Sequence, residues 1–179
     1  MNRNDYATHE DFCAIFRNQL DRLYVLALIL AGDELVAEEC FLAGFDSCAG
    51  ESRVFKESGV SWSRRSVIKN AIRIVLPASD NSSCQSLVGK CNDLNLENGA
   101  SLKGVRELQP FDRFVFVMSV LERYSDHECA LLLGCSFADI LPARIRALQR
   151  ISTTAEKSYP DYRGVTQPYL VNADALECG

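Results

Sequence analysis

The spacing of the apolar residues constrains this chain more than any other feature of its sequence. Near the start of the chain they recur at intervals of three and four positions, which places them on one face of an α-helix. They are Phe12, Phe16, Leu20, Leu23, Ala27 and Leu30. This spacing predicts a helix over about residues 10–31, ended by Gly32, and Asp33 then supplies the N-cap of a second helix over about 34–48. The chain is therefore predicted to be all-α.

A third helix is predicted from about Ser61 to Leu76, with Pro77 ending it because proline lacks an amide hydrogen. Residues 77–107 are rich in serine, asparagine, aspartate and glycine, and their apolar residues show little periodicity, which is typical of a linker. We therefore expect a three-helix domain within residues 1–76 and a linker over 77–107.

The helical pattern returns at Leu108, and Pro110 suits the first turn of a helix. Ser125 and Glu128 have the spacing of a capping box, which predicts that a new helix starts there. Gly134 then allows a tight turn, and a last helix follows to about residue 151. Two helices joined in this way have the outline of a helix-turn-helix. The sequence thus predicts a second small domain over 108–151 and a C-terminal tail over 152–179.

Charge is distributed unevenly along the chain. The formal net charge is −5, and residues 1–50 hold three basic and nine acidic residues, whereas residues 51–76 hold six basic and two acidic residues. The distribution of charge decides what a protein binds more than the sum does. The short basic segment is therefore the candidate for a nucleic-acid contact.

Several functional classes receive no support from the sequence. No apolar run reaches the roughly 18 residues of a membrane span, and the N-terminus does not have the form of a signal peptide, so we expect a cytoplasmic protein with no membrane partner. The eight cysteines form no C-x-x-C pair and the two histidines lie far from any cysteine pair, so we expect reduced thiols and no metal site. No catalytic motif is present, so we expect neither an enzyme nor a cofactor nor a small-molecule substrate.

The third helix carries cations and an aromatic residue on one face. Arg65, Lys69 and Arg73 follow at intervals of four, Trp62 falls on the same stripe, and residues 61–76 contain no acid. Such a face suits single-stranded nucleic acid, because cations follow the phosphates and an aromatic ring stacks on a base. The alternative is a solvated basic face beside a core tryptophan.

The last helix carries the residues that would meet duplex DNA. Its outer face is predicted to consist of Asp139, Pro142, Ala143, Arg146 and Arg150. The two arginines would contact phosphate, whereas the aspartate would repel it and the proline would interrupt the helix. Arg144 is predicted on the apolar side, where it snorkels, pairs with an acid, or shows that the register is shifted. That apolar stripe is Ile140, Leu141, Leu148 and Ile151. The alternative is a helical hairpin that touches no DNA.

Four stretches of the chain carry a resemblance to a known family. The first is Leu23 to Asp33 followed by Ala37-Glu38-Glu39, and the second is Trp62 with Val67-Ile68-Lys69-Asn70. The third runs from Leu108 to Val117, and the fourth from Tyr124 to Ser136. Together they resemble, over about residues 10–76 and 108–151, a small sigma factor of the extracytoplasmic-function type, with a region 2 domain and a region 4 helix-turn-helix.

The resemblance implies a transcription initiation protein whose partners are core RNA polymerase and promoter DNA, and it makes an anti-sigma factor a candidate partner. The implied contacts with the opened −10 strand are Trp62, Arg65, Lys69, Asn70 and Arg73. Those of the helix-turn-helix with DNA are Ser136, Arg144, Arg146 and Arg150. Those with the polymerase are Asp33, Glu38, Glu39 and Phe41.

Two stretches depart from the family pattern and keep other functions open. Residues 40–43 replace a run with a polar pair by Cys-Phe-Leu-Ala, and residues 139–143 lack the usual cations of the DNA-facing turn. One alternative is a degenerate sigma-fold protein that acts as a protein-interaction module or regulator without promoter recognition. Another is a helix-turn-helix repressor that dimerises through residues 10–76.

Overall fold

The computed structural model of the protein describes residues 5–50, 53–80 and 104–158, and the predicted all-α class is confirmed over these residues. One isolated β-bridge joins Tyr6 to Phe55. The α-helices, numbered in chain order, are α1 (His9–Asn18), α2 (Leu20–Ala31), α3 (Glu34–Ala49), α4 (Gly59–Asp80), α5 (Pro110–Phe116), α6 (Asp126–Leu133) and α7 (Phe137–Ser158). A 3-10 turn over Lys56–Ser58 precedes α4, a π-helical turn over Val117–Leu121 follows α5, and residues 104–106 are also helical.

The first predicted helix is in fact two helices, α1 and α2, which makes four helices before the predicted linker instead of three. Gln19 separates them with φ −112° and ψ 17°, outside the helical range, while its amide still donates to the Ile15 carbonyl. The apolar spacing continues across this residue, because Phe12, Phe16, Leu23 and Leu30 are all buried. Periodicity alone therefore could not locate the break.

The junction between α2 and α3 has the predicted form. Gly32 ends α2 with φ +78°, a left-handed conformation that glycine adopts without a steric penalty. The Asp33 carboxylate accepts hydrogen bonds from the amides of Leu35 at 3.0 Å and Val36 at 3.2 Å, and so caps α3.

Helix α4 is longer than predicted at both ends. It begins at Gly59 and continues through Pro77 to Asp80. A proline removes one amide donor from a helix, and because only three residues of α4 follow Pro77, the helix loses little there. Most of the predicted linker, residues 81–103, lies outside the described residues, so the division of the chain into two domains stays a prediction.

The second half of the chain begins and ends its helices largely as predicted. Pro110 is the first residue of α5, and Ser125 and Glu128 form a reciprocal capping box at α6, with the Ser125 amide 2.9 Å from the Glu128 carboxylate. Gly134 adopts φ +65° between α6 and α7. Helix α7 passes through Pro142 without ending and reaches residue 158, beyond the predicted 151.

A buried arginine joins the two halves. The guanidinium of Arg113, on α5, donates to the carbonyls of Leu30 and Ala31 at 3.0 Å each, at the C-terminal end of α2 where carbonyls have no helical partner. Arg106 reinforces this contact by donating to the Gly32 carbonyl at 3.1 Å. Burial, with the neighbouring charge of Arg106, lowers the pKa of Arg113 to about 10, so that it remains a cation at neutral pH. The apolar cores of the two halves are continuous around this contact.

Candidate nucleic-acid interface

Helix α4 has one face in the core and another at the surface. Val67, Ile68 and Ala71 are fully buried and Val75 nearly so, as the 100° spacing predicts. This face packs against α2 and α3. The opposite face borders an open pocket between α4 and α3. The residues that line this pocket, which we call the α4 groove, are Ser47, Trp62, Arg65, Ser66, Lys69, Asn70 and Arg73. All five residues predicted to contact a single strand therefore lie in one groove.

Trp62 is half-buried, and its side chain both packs against the core and lines the groove. The two interpretations of Trp62, a core residue or a stacking residue, are therefore compatible in this geometry.

The three cations of the groove form no salt bridge within the described residues. Lys69 and Arg73 are exposed and Arg65 is half-buried. The Glu128 carboxylate lies within electrostatic range of Arg65 without forming a salt bridge to it. The groove therefore presents a net positive charge, which suits a phosphate backbone.

Asn70 has a supporting position in the groove. It is 7% exposed, and its amide nitrogen donates to the Ser47 hydroxyl at 3.0 Å and to the Ser66 carbonyl at 2.9 Å. Ser66 in turn donates its hydroxyl to the Gly44 carbonyl at 3.0 Å. These bonds fix α4 against α3 at the floor of the groove. They use the amide donors of Asn70 that a contact with a base would need.

Sequence reasoning did not identify Ser47 and Ser66 as residues of the groove. The available signal was the run of small residues on α3, since helices approach closely where side chains are short. A Cβ at Gly44 would lie 2.8 Å from a methyl carbon of Val67, which shows how closely α3 and α4 pack. The apolar spacing predicts each helix separately but not which helices pack together. The groove forms only where α3 and α4 are in contact.

The predicted DNA-binding residues of the helix-turn-helix are mostly engaged within the protein. Arg144 binds Asp126 with two hydrogen bonds, of 2.6 and 3.2 Å, so the predicted pairing of Arg144 with an acid is confirmed. Arg146 likewise binds Asp112 at 2.6 and 3.1 Å. Ser136 caps α7 by accepting from the Ala138 amide at 3.3 Å. Arg150 is exposed, and the described residues hold no acid within salt-bridge distance of it.

The register predicted for the last helix is only partly correct. Asp139, Pro142, Arg146 and Arg150 are exposed and Ile140 is buried, as predicted. Ala143, predicted on the outer face, is fully buried together with Ile140 and Ala147, because these small residues let α7 pack against α5. Leu141 and Leu148, predicted to face inward, are exposed. The exposed apolar residues of α7, which we call the α7 stripe, are Phe137, Leu141, Ile145 and Leu148, with 61%, 52%, 46% and 44% exposure.

The residues predicted to bind the polymerase are divided between the surface and the core. Glu38 and Glu39 are exposed on α3. Asp33 is exposed, but its carboxylate caps α3. Phe41 is half-buried, with its ring 5.4 Å from that of Phe16. Sequence reasoning missed two leucines that share the exposed face of α3 with the glutamates, Leu35 and Leu42, which are 78% and 51% exposed.

Other kinds of site find little basis in the described part of the chain. No group of three or more histidine, cysteine or acidic side chains there has the arrangement of a metal site. The cysteines with described positions form no disulfide with one another, and burial raises the pKa of Cys40 and of Cys129 to about 11. No helix in the described ranges combines the length and apolar character needed to cross a membrane.

Comparison with known proteins gave no match: no protein-family model matches the sequence, and no curated protein matches it at a significant level. The resemblance to sigma factors of the extracytoplasmic-function type therefore rests on the residues quoted for it and stays a prediction.

Proposed function

We propose that this protein is a sigma-like transcription initiation protein that binds core RNA polymerase and holds the opened strand of promoter DNA in the α4 groove. The observation that carries the proposal is the convergence of Trp62, Arg65, Lys69 and Arg73 in one groove, where none of the three cations forms a salt bridge within the described residues. Stacking and phosphate neutralisation together are the means by which proteins bind single strands. Both are available here on a rigid helix whose other face is buried.

The exposed face of α3 is the proposed docking surface for the polymerase. It presents Glu38 and Glu39 together with Leu35 and Leu42 on one side of the helix. Such a surface suits a partner that offers cations around an apolar patch, because charge complementarity directs the encounter and apolar burial supplies affinity. Glu38 and Glu39 keep this role in the proposal, whereas Phe41 supports the surface from within.

A second candidate function is an interaction module without promoter recognition. The observation that favours it is the α7 stripe, since the helix expected to read duplex DNA exposes apolar side chains and two of its three arginines already bind Asp112 and Asp126. Large exposed apolar patches mark protein-binding surfaces more often than DNA-binding ones. In this case the second half of the chain would bind a protein.

The decisive experiment combines the purified protein with core RNA polymerase and genomic promoter fragments. Formation of a complex and transcript initiation is the result expected for a sigma-like protein. A complex that starts no transcripts would replace it with the interaction module. In parallel, fluorescence anisotropy compares a labelled single strand with the matched duplex, and tighter binding of the single strand is expected. Absence of both polymerase and single-strand binding would overturn the proposal.

A further inference from the structure

The turn between the π-helical segment and α6 is fixed to α4 beside the groove. The Glu122 carboxylate accepts two hydrogen bonds from the Arg64 guanidinium, one of them 2.7 Å long from Nε to Oε2. The Glu122 side chain is only 10% exposed, so this ion pair is largely removed from solvent. Paired bonds of this kind fix orientation as well as distance. Glu122 therefore holds the turn next to Arg65, the neighbour of Arg64 that lines the groove.

The residues on both sides of position 123 are also held through their backbone. The Glu122 amide donates to the Val117 carbonyl and the Tyr124 amide to the Met118 carbonyl, each at 2.9 Å. Tyr124 is half-buried; burial raises the pKa of its hydroxyl, and the nearby charge of Arg65 opposes that shift. The turn is thus rigid on both sides of residue 123 and lies within electrostatic range of the groove.

Arg123 has a backbone conformation that is unusual for its type. Its φ is +58°, in the left-handed region that side chains with a Cβ rarely adopt, and it is the only described residue other than glycine with a positive φ. Its side chain is exposed, and no acid in the described ranges lies within salt-bridge distance. Glycine would fit this position with less strain, so arginine costs stability here. Strained residues that persist are concentrated at functional sites.

We propose that Arg123 is a further strand-binding residue, which contacts a phosphate of the nucleic acid held in the α4 groove, and that Glu122 positions it by binding Arg64. This inference rests on the proposed function, because it adds a residue to the same site. Arg123 belongs to the second half of the chain, whereas Arg65, Lys69 and Arg73 belong to the first. Both halves then contribute cations to one single-strand site, and the strand passes beside their junction.

The test uses the full chain and a fluorescein-labelled oligothymidylate. Arg123→Gly removes the cation and relieves the left-handed strain, so the melting temperature is expected to stay the same or rise. Its affinity for the oligonucleotide should fall several-fold, and the slope of log K against log salt should decrease by about 0.7, the share of one phosphate contact on a single strand. Arg17→Ala removes an exposed cation of α1 and should change neither quantity.

The possible results separate this inference from the proposed function. One possible result is that Trp62→Ala weakens binding while Arg123→Gly changes neither the affinity nor the salt slope. This result would overturn the role of Arg123 and leave the groove as the binding site. Failure of the unaltered protein to bind the oligonucleotide would overturn the groove and this inference together. If Arg123→Gly does not fold, Arg123→Lys and Arg123→Gln are compared, since both keep a side chain in the strained position. Equal salt slopes for these two variants would contradict the proposal.

Discussion

The three groove cations of α4 and the three arginines of α7 lie in different electrostatic surroundings. On α4, Arg65, Lys69 and Arg73 have no described carboxylate within salt-bridge distance. On α7, Arg144 and Arg146 each bind an aspartate of the same half with two hydrogen bonds. The number of arginines on a helix therefore does not decide whether the helix can bind a polyanion. The position of the acids on neighbouring helices does.

The apolar residues of the two helices differ in the same sense. On α4 the fully apolar face is buried and a tryptophan remains at the edge of the groove. On α7 a second apolar face remains outside the core, from Phe137 to Leu148. A polyanion suits the first surface and a protein suits the second.

The largest effect is expected at Arg113, which joins the two halves of the chain. Arg113→Ala leaves the carbonyls of Leu30 and Ala31 without their buried donor, and it should lower the free energy of unfolding by about 3 kcal/mol. Urea denaturation followed by circular dichroism measures this loss. Arg17→Ala, an exposed arginine of α1, is the control and should change it little. If the free energy of unfolding of Arg113→Ala equals that of the unaltered protein, the two halves of the chain are not coupled through this residue.

The next effect concerns the stacking ring of the groove. Trp62→Ala should weaken binding of a single-stranded oligonucleotide by about 1–3 kcal/mol, the usual contribution of one stacked base. Phe55→Ala is the matched control, because Phe55 is a partly exposed aromatic that stacks on Tyr6 away from the groove. Anisotropy titrations of both variants provide the comparison. Equal losses for the two would show that Trp62 has no special place in binding.

The contrast between free and paired cations gives a third prediction. Lys69→Gln should reduce the salt slope of single-strand binding by about 0.7 and leave stability unchanged. Arg146→Gln should leave the salt slope unchanged and reduce stability by about 1–3 kcal/mol, because it leaves the buried Asp112 carboxylate without its partner. Each variant is measured by both titration and denaturation. The opposite assignment of effects would place the nucleic acid on α7.

The smallest effect is expected on the α7 stripe. Leu141→Gln replaces a side chain that is 52% exposed, so the free energy of unfolding should change by less than about 0.5 kcal/mol. Single-strand affinity should also stay the same. Leu35→Gln on α3 is the parallel change on the proposed polymerase surface and should weaken the complex with core polymerase instead. A loss of oligonucleotide binding in Leu141→Gln would mean that α7 takes part in the nucleic-acid site.

The sequence predicted features that depend on neighbours along the chain. The Asp33 cap, the Ser125–Glu128 capping box and the positive φ of Gly134 each involve residues at most three positions apart, and all three are confirmed. The cationic face of α4 was also predicted, because a helix brings positions 65, 69 and 73 together whatever surrounds it. Local chemistry fixes such features before any packing occurs.

Features that depend on the packing of distant segments were not predicted. The pairing of Arg146 with Asp112 joins residues 34 positions apart, and the contact of Arg113 with Leu30 joins residues 83 apart. The register of α7 was wrong at Ala143, Leu141 and Leu148 for the same reason: Ala143 and Ala147 are buried because α5 packs there, and nothing in the helix itself ranks small alanines above larger leucines as core residues. The choice is made by the partner helix.

The Arg113 contact also has a consequence for the order in which the chain folds. Arg113 binds carbonyls at the C-terminal end of α2, and this group of acceptors forms only when α2 has folded and ended at Gly32. The acceptor site therefore does not exist in the unfolded chain. The contacts among helices α1–α4 join segments closer in sequence than Arg113 and Leu30, which are 83 positions apart. These helices should therefore assemble first, since closing long loops delays contacts between distant residues. Docking of α5 would then be the late step, and removing Arg113 should accelerate unfolding far more than it slows folding.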